Sequence, residues 1–222
     1  MNVSAILFDF DHTLGYDNGL EEAVLRELAQ RYCKNVPDDA AIHAVLHRFR
    51  TDHATLSSAI GTGLQAWGYH AADLDEVVAG YKARVLELAP SWVLPMPHAR
   101  EAVEELFARG MPIGILSNGW TQLQQLKADL FGFPGPTLVS EEIGAWKPDA
   151  ASFEIAAARF AMDPPTTLYV GDTPDVDVVG AKAAGMLAAW ANLGGAAYPV
   201  DVISPDISVT SLAQLVDFVP RP

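Results

Sequence analysis

Val3-Ser4-Ala5-Ile6-Leu7-Phe8-Asp9-Phe10-Asp11-His12-Thr13 is the stretch on which the fold turns. From Val3 to Phe8 it is nearly all apolar, and then two acids fall within three residues. An apolar run without alternation reads as a strand buried on both faces, the kind found in parallel sheets. Acids just beyond its carboxyl end stand where open α/β sheets bind their ligands. The run is far shorter than the roughly 20 residues that span a bilayer. It carries acids and no basic leader, so it is not expected to be a signal peptide.

Outward from this strand, the chain changes character twice. From about Gly15 to Pro95, helix periodicity takes over. Ile42, Val45, Leu46 and Phe49 make one stripe; Val77, Val78, Tyr81, Val85 and Leu88 make another. Leu20, Val24 and Leu28 form a third, and Leu56, Ile60, Leu64 and Trp67 a fourth that Gly61 and Gly63 weaken. This segment contains no stretch that reads as a strand, and a small helical bundle is expected. After Pro95, helices and strands alternate. Strands are expected at Ile113 to Leu116, Thr137 to Val139, Thr167 to Val170, Leu187 to Ala191 and Ile207 to Val209, with helices between. One of these helices, Pro174 to Ala184, is expected to be capped by Thr173 and closed by Gly185. The alternation implies right-handed βαβ units. The fold class is α/β: a Rossmann-like, doubly wound parallel sheet, residues 1–14 and 96–222, interrupted by a helical insertion, residues 15–95.

Composition narrows the function. The chain has 222 residues, 14 Lys+Arg against 28 Asp+Glu, and a formal net charge of -14. Such a surface does not attract a phosphate backbone, so nucleic acid is excluded as a partner. Cys33 is the one cysteine, which rules out a disulfide framework and a multi-cysteine metal site. No membrane partner is expected, and the chain reads as cytoplasmic, a monomer or a homodimer.

The polar residues at the expected strand ends define the chemistry. Asp9 and Asp11 follow the first strand, Ser117 and Asn118 the second, and Asp172 the strand after Thr167, with Asp177 five residues on; Lys147 precedes the helix near Asp149. Four acids converging on one rim would repel one another. A divalent cation resolves this, and oxygen-only ligands select a hard ion such as Mg2+. A carboxylate can then attack phosphorus in line, a second can protonate the leaving oxygen, and an ammonium and a hydroxyl can neutralise the phosphoryl oxygens.

These residues carry a resemblance. Asp9-Phe10-Asp11-His12-Thr13 is similar to the first motif, Asp-x-Asp-x-Thr, of the haloacid dehalogenase superfamily. Ser117-Asn118-Gly119 resembles its second motif, Lys147-Pro148 its third, and Gly171-Asp172-Thr173-Pro174-Asp175-Val176-Asp177 its fourth. All four occur in order and span nearly the whole chain. The resemblance implies that Asp9 is the nucleophile and a metal ligand. Asp11 would be the general acid/base and would lend its backbone carbonyl to the metal. Thr13 would steady the Asp11 loop, Ser117 and Asn118 would bind the phosphoryl group, and Lys147 would orient Asp9. Asp172 and Asp177 would complete the Mg2+ site, and residues 15–95 would be the cap. The implied activity is a Mg2+-dependent phosphatase acting on a small phosphorylated metabolite through an aspartyl-phosphate. A phosphosugar mutase shares these motifs. A haloacid dehalogenase needs neither Asp11 nor the later acids, and a receiver-like signalling domain has a different motif order and no helical insertion.

Other features read more plainly. His43 and His47, four apart, have a zinc-compatible spacing but no evident third ligand, and they read as surface. His12 is expected to point away from the acids on an extended segment. An arginine of the insertion, Arg48 or Arg50, is a candidate for attracting the substrate anion.

Overall fold

The computed structural model describes residues 1–51, 55–70 and 73–218. Strand β1, Ala5–Phe8, is buried along its whole length. After β2 (Gly15–Tyr16) come four helices, α1 (Leu20–Tyr32), α2 (Asp39–Thr51), α3 (Leu56–Ala66) and α4 (Leu74–Trp92). β3 (Leu94–Pro95) and α5 (Ala99–Ala108) follow. From there strands and helices alternate through β4 (Ile113–Ser117), α6 (Thr121–Phe131), β5 (Thr137–Val139), α7 (Ser140–Ile143) and α8 (Ala150–Arg159). β6 (Thr167–Gly171), α9 (Val179–Ala183), β7 (Leu187–Ala191) and β8 (Ile207–Val209) complete the series, and a 3₁₀ turn at Leu212–Phe218 comes last.

Six strands form one sheet in the order β5-β4-β1-β6-β7-β8. Every pairing in it is parallel. The chain lays β4 and then β5 on one side of β1, and returns to lay β6, β7 and β8 on the other. β1 therefore stands where the winding reverses, the place at which a doubly wound sheet opens a crevice at its carboxyl ends. Phe8 is in register with Ile115 of β4 and Val170 of β6, so the residues just past all three strands lie side by side.

The run Val3 to Phe8 lacks alternation because both faces of the sheet are covered. Ile6 and Phe8 pack with Val103, Leu106, Phe131 and Leu215 on one face. Ala5 and Leu7 pack with Phe153, Ala156, Val178 and Ala181 on the other.

The chain divides into two compact units: Met1–Tyr16 with Val93–Pro222, and Asp17–Trp92. Within the helical unit most of the stripe residues read from sequence are interior: Ile42, Leu46, Phe49, Val77, Val78, Tyr81 and Val85 are buried, and Val45 and Leu88 are half-buried. Tyr81 donates its hydroxyl to the buried Glu21 carboxylate at 3.2 Å. α3 forms despite its glycines. A Cβ at Gly63 would lie 2.5 Å from Val45 Cγ2, so the glycine is what allows α2 and α3 to approach. No helix among the described residues is long and apolar enough to cross a membrane.

Two expectations need correction. Residues 15–95 do contain strand: Gly15 and Tyr16 pair antiparallel with Pro95 and Leu94. At two residues each, these strands are too short to leave a periodic signal, and they belong to the sheet-bearing unit. Nor is Pro174 to Ala184 one capped α-helix. It begins as a π-helical turn, Pro174–Val178, and Thr173 makes no side-chain cap. The Thr173 hydroxyl instead bonds the Asp172 carboxylate at 3.1 Å, and its N–H is taken by Asp177 at 3.0 Å. The wider turn carries Asp177 back toward the strand end.

Candidate active site

Asp9 leaves β1 with its N–H bonded to the Val170 carbonyl at 2.8 Å, so the first acid is seated on two strands at once. The chain then turns rather than staying extended. The Phe10 carbonyl accepts from the N–H groups of Thr13, Leu14 and Gly15 at 3.2, 2.9 and 3.0 Å, and His12 has φ 58. His12 is exposed, yet its imidazole bears on Asp172, favouring that carboxylate's charge.

At the centre of the site is Lys147, whose side chain is only 3% exposed. Its Nζ donates to Asp9 Oδ1, to Asp177 Oδ1 and to the Tyr169 hydroxyl, each at 2.8 Å. An ammonium has three protons, and these three acceptors use them all. Tyr169 in turn donates to the Leu116 carbonyl at 2.8 Å. Asn118 places the lysine's main chain: its amide donates to the Lys147 carbonyl and its oxygen accepts the Lys147 N–H, both at 2.9 Å.

Asp9, Asp172 and Asp177 bring carboxylate oxygens within 4.8 Å of one another, the one such cluster of three or more potential ligands among the described residues. The Asp9 carboxyl is raised to about 7, chiefly by burial; the Lys147 ammonium opposes the rise, and Asp177, Asp172 and Asp11 add to it. Burial, then Asp177, raises Asp172 to about 6. Burial works against the charge on Lys147, but Asp177 and Asp9 outweigh it and hold the ammonium well above the ordinary lysine value. One cation thus faces three acids and does not balance them. Such an all-oxygen, electron-rich cluster can hold a hard divalent cation.

Asp11 does not join that cluster. Its Oδ1 accepts from Lys127 Nζ at 2.8 Å and its Oδ2 from Gln124 Nε2 at 3.0 Å. Of the other residues singled out from sequence, Ser117 is buried at the end of β4, its hydroxyl 3.5 Å from the Asn118 carbonyl. The Asn118 side chain is committed to Lys147, which leaves its backbone rather than its amide for a ligand. Thr13 is fully buried and its hydroxyl has no hydrogen-bond partner among the described residues, although its N–H helps close the loop. His43 and His47 sit 6.3 Å apart, ring to ring, on α2, outside the acidic cluster. The Arg50 side chain lies outside the described residues.

Four participants escaped the sequence reading: Lys127, Gln124, Tyr169 and Trp190, whose indole N–H holds the Asp172 carbonyl at 2.9 Å. A signal existed for two of them. Gln124 and Lys127 occupy the buried stripe of α6 with Leu123, Ala128 and Phe131, and a polar residue on an apolar stripe asks for a partner. Tyr169 and Trp190 lie in strands buried on both faces and look like core.

Fold and site together define an α/β protein of doubly wound parallel sheet with a lysine-centred acidic cluster at the carboxyl edge of that sheet. The chain matches the family described as haloacid dehalogenase-like hydrolase over residues 3–185, and it belongs to that family. It is 28% identical over 232 residues to the glyceraldehyde 3-phosphate phosphatase of Methanocaldococcus jannaschii, covering 98% of this chain and 97% of that one. It is 29% identical to the phosphoserine phosphatase of Thermus thermophilus, covering 95% and 96%. Among solved structures, a 2-haloacid dehalogenase from Pseudomonas syringae pv. Tomato superposes with a TM-score of 0.74 at 26% identity, covering 97% of each chain.

Proposed function

We propose that this protein is a Mg2+-dependent phosphatase of small phosphomonoesters, with Asp9 as nucleophile. The observation that carries the reading is the cluster of buried Asp9 and Asp177 with half-buried Asp172 around Lys147, with Asp11 held separately beside it. Three carboxylates and one ammonium leave a net charge that a divalent cation offsets, and the donors are all oxygen, so the residues fit Mg2+. Asp9, Asp172 and Asp177, with the Asp11 backbone carbonyl, would hold the ion, which would neutralise charge on the transferring phosphoryl group.

The chain's own groups do the rest. Asp9 attacks phosphorus in line and becomes an aspartyl-phosphate. Asp11 gives a proton to the departing oxygen, then takes one from the water that hydrolyses the intermediate. Lys147 keeps Asp9 oriented and offsets charge. Ser117 and the backbone N–H of Asn118 receive phosphoryl oxygens, the Gly119 N–H being taken by Ser140 Oγ at 3.1 Å, and the helical unit, Asp17–Trp92, is the cap. Dehalogenation uses a nucleophilic aspartate but has no task for Asp172 and Asp177, which favours phosphate transfer despite the structural likeness to a dehalogenase. The two curated relatives named above are called after three-carbon phosphomonoesters, so substrates of that size head the panel.

The test is phosphate release from p-nitrophenyl phosphate and from a panel of three-carbon and sugar phosphates, with Mg2+ and with EDTA, for the wild type and Asp9→Asn. Turnover that needs Mg2+ and falls at least ~10³-fold in the variant is expected. Equal rates in the two proteins refute the reading.

A further inference from the structure

Two polar residues of α6 are buried and directed at the carboxylate assigned proton transfer. The Lys127 side chain is 1% exposed, against 30% for Asp11. Gln124 is buried as well, and a Cβ at Gly119 would lie 2.7 Å from its Nε2. The turn that ends β4 therefore pins the glutamine, and a substituted Gly119 would displace it. Gln124 and Lys127 are three apart, on one face of the helix. Between them they supply a donor to each oxygen of Asp11, at 3.0 and 2.8 Å. Burying a lysine is costly unless its charge is met, and Asp11 meets it.

We propose that Lys127 and Gln124 are positioning residues for leaving-group protonation: they fix the Asp11 carboxyl plane and receive the carboxylate that remains once its proton has gone. The proposal rests on the phosphatase reading. In the first step the bond from Asp9 oxygen to phosphorus forms as the bond from phosphorus to the leaving oxygen breaks. The electron pair departs with that oxygen, which takes the proton from Asp11. Asp11 is left as an anion, and both of its oxygens already face donors, so proton delivery ends in a prepared environment rather than an unpaired charge. The same two contacts stop the carboxyl from rotating about its own axis, which keeps one edge aimed at the leaving group. Neither residue touches the reacting atoms; each acts through Asp11.

A leaving group that is stable as an anion needs no proton, whereas an alkoxide does. This distinction separates positioning of Asp11 from any general structural role. The experiment compares kcat/KM, which reports steps up to phosphoenzyme formation, for glycerol 3-phosphate or another alkyl phosphate found active in the panel, and for 2,4-dinitrophenyl phosphate. Lys127→Met, which keeps most of the buried stem, is expected to lower the alkyl phosphate value by roughly 30-fold or more relative to the aryl value, since a general acid contributes about 10²–10⁴-fold. Gln124→Leu is expected to shift the ratio the same way by a smaller factor, and it serves alone if Lys127→Met does not fold. A merely structural defect lowers both substrates together, and an unchanged ratio in a folded variant overturns the proposal. Asp9→Asn separates the two hypotheses. If it retains activity on both substrates, the phosphatase reading has failed. If it is inactive and the ratio is unmoved in the α6 variants, only the positioning role has failed.

Discussion

Replacing Lys147 with methionine removes the one ammonium that Asp9, Asp177 and Tyr169 share at 2.8 Å each, in a pocket where its side chain is 3% exposed. Methionine fills most of the stem's volume, so the loss is electrostatic. Breaking a buried pair by deleting one partner costs about 3–5 kcal/mol. The low end applies here, because Asp9 has an alternative to standing unpaired. Its carboxyl is raised to about 7 even beside the ammonium that lowers it, so taking up a proton at pH 8 once that ammonium is gone costs less than about 1.4 kcal/mol. The sign follows from linkage. The folded-state value of Asp9 lies above its ordinary 3.8, so the stability its neutral form contributes is complete below pH 3.8 and is lost as pH rises through about 7. Deleting the cation moves that window higher still. In metal-free protein we therefore expect a loss of about 3 kcal/mol at pH 8, a fall in Tm of roughly 6–12 °C for a chain of this size. At pH 5.5 the loss should be about half, since Asp9 is then neutral with or without the lysine. Urea unfolding and thermal melts in EDTA at the two pH values measure both. A loss below about 1 kcal/mol at pH 8, or the same loss at pH 5.5, refutes this account of the cluster.

Mg2+ should raise Tm more at pH 8 than at pH 5.5, because protons on Asp9 and Asp172, which titrate at about 7 and about 6, compete with the ion at the lower pH. A thermal shift that is independent of pH would contradict the assignment of these carboxylates. Gly171→Ala should destabilise by about 1–3 kcal/mol and weaken Mg2+ binding, since overpacking carries that cost and the new Cβ would stand 2.3 Å from the Asp177 carboxylate. Isothermal titration with Mg2+ checks it, and wild-type affinity in the variant would mean that Asp177 is not held where the ion binds.

The strands were legible because parallel strands in a covered sheet are short apolar runs between polar breaks. Thr137–Val139, Leu187–Ala191 and Ile207–Val209 fall on the residues expected for them. The acids at the strand ends were legible for the same reason, since a carboxylate directly after a buried run has to be at the rim. The sequence was silent where one residue's role depends on a neighbour far along the chain. Thr173 looked like a cap, and its hydroxyl instead bonds Asp172 while its N–H donates to Asp177. Asn118 looked like a phosphoryl ligand, and its amide closes on the main chain of a residue 29 positions away.

By itself the sequence determined the class of the fold, the six strands of its main sheet and the identity of the acids and the lysine at its edge, for these rest on local pattern and spacing. Tertiary structure alone decided how the charges are shared. Lys147 is separated from Asp9 by 138 positions and from Asp177 by 30. Lys127 is 116 positions from Asp11. Periodicity shows that such side chains face inward, but only the packing of α6 and the strand ends against β1 settles which carboxylate each cation meets. Burial then sets how strongly they interact, because the same pairs would be worth little in water.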